Sequence, residues 1–213
     1  MFALFSPDSK IGMILSRIAN LVVLNVLFVL TCIPVFTVGA ADTALYSVCF
    51  RFSQGREGSI VKSYFRAFRD NFKQATILWL ITALCITVIC VDIYLCSIRT
   101  DALRYGMFVF LVFLVLTVMV AGYIFPLLSQ FSNDTKTTLK NAVLLSIGYL
   151  PRSMVITAAN VLPVVLMITV EPYVFMQAMI LWAGLYFSAA AYLNATVLRK
   201  VFSPYMPKEE PPV

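Results

Sequence analysis

The chain has 213 residues, 61% hydrophobic and 12% charged, with a formal net charge of +6 and no histidine. Soluble domains carry roughly 25% charged residues, so this composition excludes a water-soluble core, and the missing histidine excludes a His-based triad, a His proton shuttle and most zinc or haem sites. The positive charge lies between long uncharged runs, where membrane insertion uses it, and leaves no basic domain for nucleic acid.

The first apolar run covers residues 18–41. It exceeds the roughly 20 residues needed to cross the hydrocarbon core. The small residues of VGAAD (38–42) resemble a signal cleavage site, but the run is far longer than the roughly 7–15 residues of a signal h-region. A retained helix carrying Asn25 is expected. At its end, Pro34, Gly39, Ala40 and Ala41 permit a break or a close helix approach, and Asp42 or Thr43 is placed to cap a continuing helix.

SYFRAFRDNFKQATILWLI (63–81) follows. Lys62, Arg66, Arg69 and Lys73 share one helical stripe, with Tyr64, Phe65, Phe68 and Phe72 on the other side. An ordinary positive flank explains the charge but not the stripe. The pattern predicts an amphipathic elbow helix on the inner membrane surface, cations toward anionic headgroups and rings in the acyl boundary. It then turns into a second span over 75–98. Asp92 falls about 26 Å along that helix at 1.5 Å per residue, near the outer interface and within reach of water or Arg99.

A third span, 105–131, carries Pro126. A weaker elbow is expected over 138–153, where Leu139, Val143, Leu144, Ile147 and Leu150 recur at helical spacing before a bend at Pro151. Spans four and five are read over 153–170 and 172–198, and 203–213 as a flexible cytoplasmic tail. Each half is then a proline-bearing span, an elbow and a span ending at an acid (Asp92, Glu171), which reads as a weak parallel repeat.

Inside the spans, Asn25, Asp92, Asn160 and Asn194 are candidates for a polar path. Pro163 frees the backbone carbonyl at 159, beside Asn160. The plainer reading is that the asparagines hold helices together at roughly 1 kcal/mol each. The five cysteines form no C-x-x-C pair and act as small apolar residues. Without a P-loop, G-x-S-x-G or H-E-x-x-H motif, no enzyme, metal or cofactor chemistry is expected. Lys and Arg divide twelve to four between the two sides of the five-span arrangement, which predicts an inner C-terminus and an outer N-terminus.

PVFTVGAADTALY (34–46), the stretch 63–81, FPLLSQF (125–131), LKNAVLLSIGYLPRS (139–153) and AYLNATVLRKVFSPY (191–205) resemble the YesL-like family of bacterial integral membrane proteins, in order along nearly the whole chain. The resemblance implies a small polytopic protein, mainly of Gram-positive bacteria, encoded beside sugar-uptake ABC transporter and glycan-degradation genes. It implies no catalytic residue. The E-A-A loop by which such permeases engage their ATPase is absent. The expectation is an all-α membrane bundle of about five spans, a non-enzymatic accessory component of carbohydrate uptake. Its partners would be the lipid bilayer, sugar ABC permease subunits or further copies of itself. The alternative is a stand-alone small transporter or channel acting as an oligomer.

Overall fold

A computed structural model of the protein describes residues 10–56, 58–169, 171 and 182–206. The regular elements among them are helical: α1 Lys10–Cys32, α2 Val38–Ser53, α3 Ile60–Ser97, α4 Gly106–Gln130, α5 Thr135–Gly148 and α6 Leu150–Thr169. A π-helical turn, Trp182–Tyr186, then leads into α7, Phe187–Phe202. Three stretches, Ile11–Cys32, Ile60–Ser97 and Ala102–Gln130, are long and apolar enough to cross a bilayer, and α5 with α6 makes a fourth if counted as one broken unit. Ile14, Leu84, Phe108 and Val112 stand exposed on these helices, as suits hydrocarbon rather than water. The described residues form an all-helical membrane bundle. The first part of the expected fifth span, 172–181, and the tail from 207 onward lie outside the described residues.

The run 18–41 is not one span. α1 stops at Cys32, and α2 begins at Val38 after a short 3-10 turn, Val35–Thr37. Arg17, Asn20 and Leu21 of α1 border one small cavity with Phe52 at the end of α2. The two helices therefore double back as an antiparallel hairpin. Pro34 has no N–H with which to continue the α1 ladder. The Thr37 hydroxyl donates to the carbonyls of Thr31 at 2.5 Å and Pro34 at 2.6 Å, and the Trp79 indole donates to the Val35 carbonyl at 2.8 Å. These bonds satisfy carbonyls that the turn leaves outside the helical ladder. The hairpin also brings the start of α1 to the end of the bundle where α2 stops and α3 begins. This runs against the expected N-terminus across the membrane from the basic loop, because that expectation took 18–41 as a single crossing.

α2 is the most enclosed helix. Ala40, Ala41, Ala44, Cys49 and Phe50 are buried in a core shared with α1, α3, α4 and α7. Gly39 sets its distance from α3: a Cβ there would stand 2.5 Å from the Ala75 carbonyl oxygen and 2.7 Å from the Trp79 Cβ. Gly55, at φ 69°, then turns the chain toward α3 in the left-handed region that glycine favours.

The expected first elbow is not a separate helix. α3 runs unbroken for 38 residues, with no proline to remove a rung of its hydrogen-bond ladder and no glycine to loosen its backbone. Lys62, Arg66, Arg69 and Lys73 are exposed on one face. The rings behave differently from expectation. Tyr64 is fully buried and Phe68 and Phe72 pack on the core, leaving Phe65 exposed. Ring centroids lie 6.4 Å apart for Tyr64–Phe68 and 5.5 Å for Phe68–Phe72. This ladder faces protein rather than acyl chains because α2 occupies that side. The Tyr64 hydroxyl meets the Thr31 hydroxyl at 2.6 Å, and Arg51 donates to Ser63 Oγ at 2.9 Å.

α4 returns along α3. The Gln74 amide donates to the Asn133 carbonyl at 2.8 Å at one end, and Gly106 lies beside the Cys96 sulfur at the other. Asp134 caps α5, its Oδ2 accepting from the amides of Lys136 at 3.2 Å and Thr137 at 3.5 Å. α5 and α6 meet at 107°. Pro151 costs no bond in the first turn of α6. The Ser153 hydroxyl lies 2.8 Å from both the Ser146 carbonyl and the Tyr123 hydroxyl, pinning the bend to α4. One expected elbow thus continues unbroken into its span and the other is a separate, sharply angled helix. Their packing is unrelated, and the parallel repeat falls with it.

Gly39→Ala is expected to destabilise the bundle by roughly 1–3 kcal/mol, the range for overpacked interiors, since a backbone oxygen cannot move aside for a methyl group. A thermal melt in detergent checks this, and an unchanged midpoint would contradict so tight an approach of α2 to α3.

Candidate functional site

α2 is apolar along most of its length, yet Asp42 and Tyr46 stand four residues apart and so share one face. That face borders a cavity of about 220 Å³ inside the bundle. Phe28 of α1, Phe125 of α4 and Phe187 of α7 contribute rings to it, and Asn160 and Tyr186 contribute polar groups. Gly122 lets α4 and α6 close one wall, a Cβ there reaching 3.2 Å from Ile156 Cγ2.

Asp42 was expected as a helix cap. The N-cap position belongs to Thr37, and Asp42 sits a turn further on. Its carboxylate makes no hydrogen bond or ion pair among the described residues, and it keeps a partial exposure where it borders the cavity. Among the described residues the lining includes no lysine or arginine. A carboxylate so placed needs a proton or a cation to offset its lost hydration.

Two of the four expected polar-path residues meet here. The Asn194 amide of α7 donates to the Tyr46 hydroxyl at 3.2 Å and to Asn160 Oδ1 at 3.1 Å, joining α2, α6 and α7. Asn194 is buried while Asn160 is exposed, so the cavity opens past α6. Pro163 also lines it. Lacking an N–H, Pro163 leaves the Ala159 carbonyl without its helical donor, and the Tyr186 hydroxyl donates to that oxygen at 2.6 Å. Asn25 stands apart as a helix tie, its Oδ1 accepting the Ser188 backbone N–H at 2.9 Å just past the π turn. Asp92 lies toward the far end of α3, outside the cavity, and forms no ion pair with Arg99 among the described residues. Pro126 is buried within α4, next to the cavity residue Phe125.

Sequence reasoning missed Tyr46 and Tyr186 and gave Asp42 the wrong task. The available signal was an acid and a tyrosine at i and i+4 in an otherwise apolar helix. The cavity offers oxygen acceptors against aromatic walls. No group of three or more His, Cys, Asp or Glu side chains among the described residues is disposed to hold a metal ion.

These features define a helical membrane protein with an unpaired carboxylate facing an internal cavity. The chain matches the family model described as "Protein of unknown function, DUF624" over residues 21–93, from within α1 through most of α3. It is 27% identical over 146 residues to YteU of Bacillus subtilis (strain 168), described as an uncharacterized protein. That match covers 68% of this chain and 66% of the relative, so the chain spans just under two thirds of the relative's length. No solved structure matches the chain. The two matches bear out the family resemblance read from the sequence.

Asn194→Ala removes both bonds that join α2, α6 and α7 at the cavity. It is expected to lower stability by about 1 kcal/mol, the usual worth of an interhelical amide bond in a bilayer. A detergent melt reads the loss, and wild-type stability would mean that these bonds do not hold the three helices.

Proposed function

We propose that this chain is a non-enzymatic multi-pass protein of the cell membrane and an accessory component of bacterial carbohydrate uptake, set beside ABC-type sugar permease subunits. The supporting observation is the stripe on α3. Lys62, Arg66, Arg69 and Lys73 are all exposed, and none makes a hydrogen bond or ion pair among the described residues. Four unpaired cations on one face form a contact surface for anionic headgroups or an acidic partner. The gene company implied by the family resemblance points to the permease as that partner.

In this reading the basic end of the bundle is cytoplasmic and includes the start of α1, the turn between α2 and α3, and the end of α7. The outer basic residues are then Arg99 and Arg104 out of sixteen Lys and Arg, a stronger inner bias than five simple crossings give. The α3 stripe lies at the inner surface, and α5 rests along that interface as an elbow.

A second reading, a stand-alone small transporter or channel acting as an oligomer, is favoured by the cavity at Asp42, Tyr46 and Asn160. Asn160→Leu would then abolish solute flux in proteoliposomes while the protein stays folded.

The pair Arg66→Glu and Arg69→Glu tests the leading reading. Permease subunits recovered with the tagged wild-type protein from native membranes should fall at least tenfold with the double variant, at equal membrane levels of the bait. Equal recovery of those subunits would contradict the stripe as the contact, and their absence from the wild-type sample would favour the second reading.

A further inference from the structure

We propose that the cavity binds a small organic ammonium ion, with Asp42 as its counter-ion. This rests on the second reading, in which the chain itself holds a solute, and names the class of that solute.

Charge decides first. Among the described residues, Asp42 is the one carboxylate lining the cavity, and no lysine or arginine lines it. Its carboxylate has no hydrogen-bond or ion-pair partner among the described residues. An anionic solute would meet that carboxylate uncompensated in a medium of low dielectric. A cation supplies the missing partner, and a transmembrane bundle retains an ionisable group most readily where such a partner enters.

Size and wall chemistry then separate an organic cation from a bare ion. At about 220 Å³ the cavity is much larger than a dehydrated metal ion, and lies just below the roughly 300–1,000 Å³ of typical small-molecule pockets. A hard cation takes about six to eight oxygen ligands. Here one carboxylate, one amide and two phenols are spread among aromatic and aliphatic walls. Phe28, Phe125, Tyr186 and Phe187 present rings to the same space. Aromatic faces attract ammonium groups electrostatically and cover their attached carbons. A carboxylate against several rings is thus matched to an alkylated or primary ammonium, while Tyr46 and Asn160 stand beside it for a hydroxyl on the same ligand.

The test uses the full chain in lipid nanodiscs and isothermal titration with four probes: choline, methylammonium, glucose, and 3,3-dimethyl-1-butanol, the neutral isostere of choline. Choline or methylammonium should bind, and that affinity should fall at least tenfold in Asp42→Asn at unchanged helical content. The neutral isostere should bind at least tenfold more weakly than choline. Equal binding of choline and its isostere would overturn the proposal, as would full ammonium affinity in folded Asp42→Asn. If Asp42→Asn does not fold, the comparison of choline with its isostere on the wild-type protein decides alone. Binding of glucose without either ammonium would overturn the ammonium ligand yet leave the solute-holding reading standing. Binding of none of the four would overturn both.

Discussion

The bundle depends on how closely α2 lies against α3. At Gly39 the backbone meets the Ala75 carbonyl and the Trp79 side chain with no room for a methyl group. That approach holds α2 in the centre of the molecule, where α1, α4 and α7 also bury its small residues. In hydrocarbon there is little hydrophobic drive between helices, so close packing and satisfied polar groups must supply the association. Gly39, Ala40 and Ala41 provide the first. Thr31, Thr37, Tyr64 and Trp79 provide the second, around the turn that makes α2 possible.

Once α2 is fixed, the cavity follows. Residues 42 and 46 stand three and seven positions after Gly39, further along the same face of α2, and α4 and α6 close around them through Gly122. Asn194 then spans from Tyr46 to Asn160. The polar groups of the site therefore rest on rigid helices rather than loops, as a site that must present one carboxylate without a partner requires. The basic stripe is separate in origin. It lies on the outward face of α3, away from the buried ring of Tyr64, and its exposure follows from the same docking of α2 on the other side.

The sequence made much of this legible. Long uncharged runs mark the apolar helices because a bilayer imposes both length and composition. The spacing of Lys62, Arg66, Arg69 and Lys73 gives their common face, and Pro163 marks the carbonyl that Tyr186 occupies. Other features needed tertiary contacts. Residues 18–41 read as one crossing because an uncharged run carries no sign of its direction. Pro34 signals a break but not whether the chain goes on or returns, and the return is set by Trp79, 44 residues away in sequence. Tyr64, Phe68 and Phe72 read equally well as lipid-facing or protein-facing, since both environments are apolar. Asp42 read as a cap because capping is the commonest task of an aspartate near a helix start, and only the position of Thr37 one turn earlier excludes it.

The doubling back of α1 and α2 is the most exposed claim, and a cross-link measures it directly. In a chain whose native cysteines are replaced by serine or alanine, Arg17→Cys and Phe52→Cys would be introduced together and oxidised in intact membranes. The hairpin predicts a disulfide within one chain, formed in high yield and absent from a control pair such as Arg17→Cys with Cys96 retained. Failure of the 17–52 pair to join, with labelling of position 17 confined to the outer face of the cell, would mean that α1 crosses the membrane alone and that α2 does not return along it.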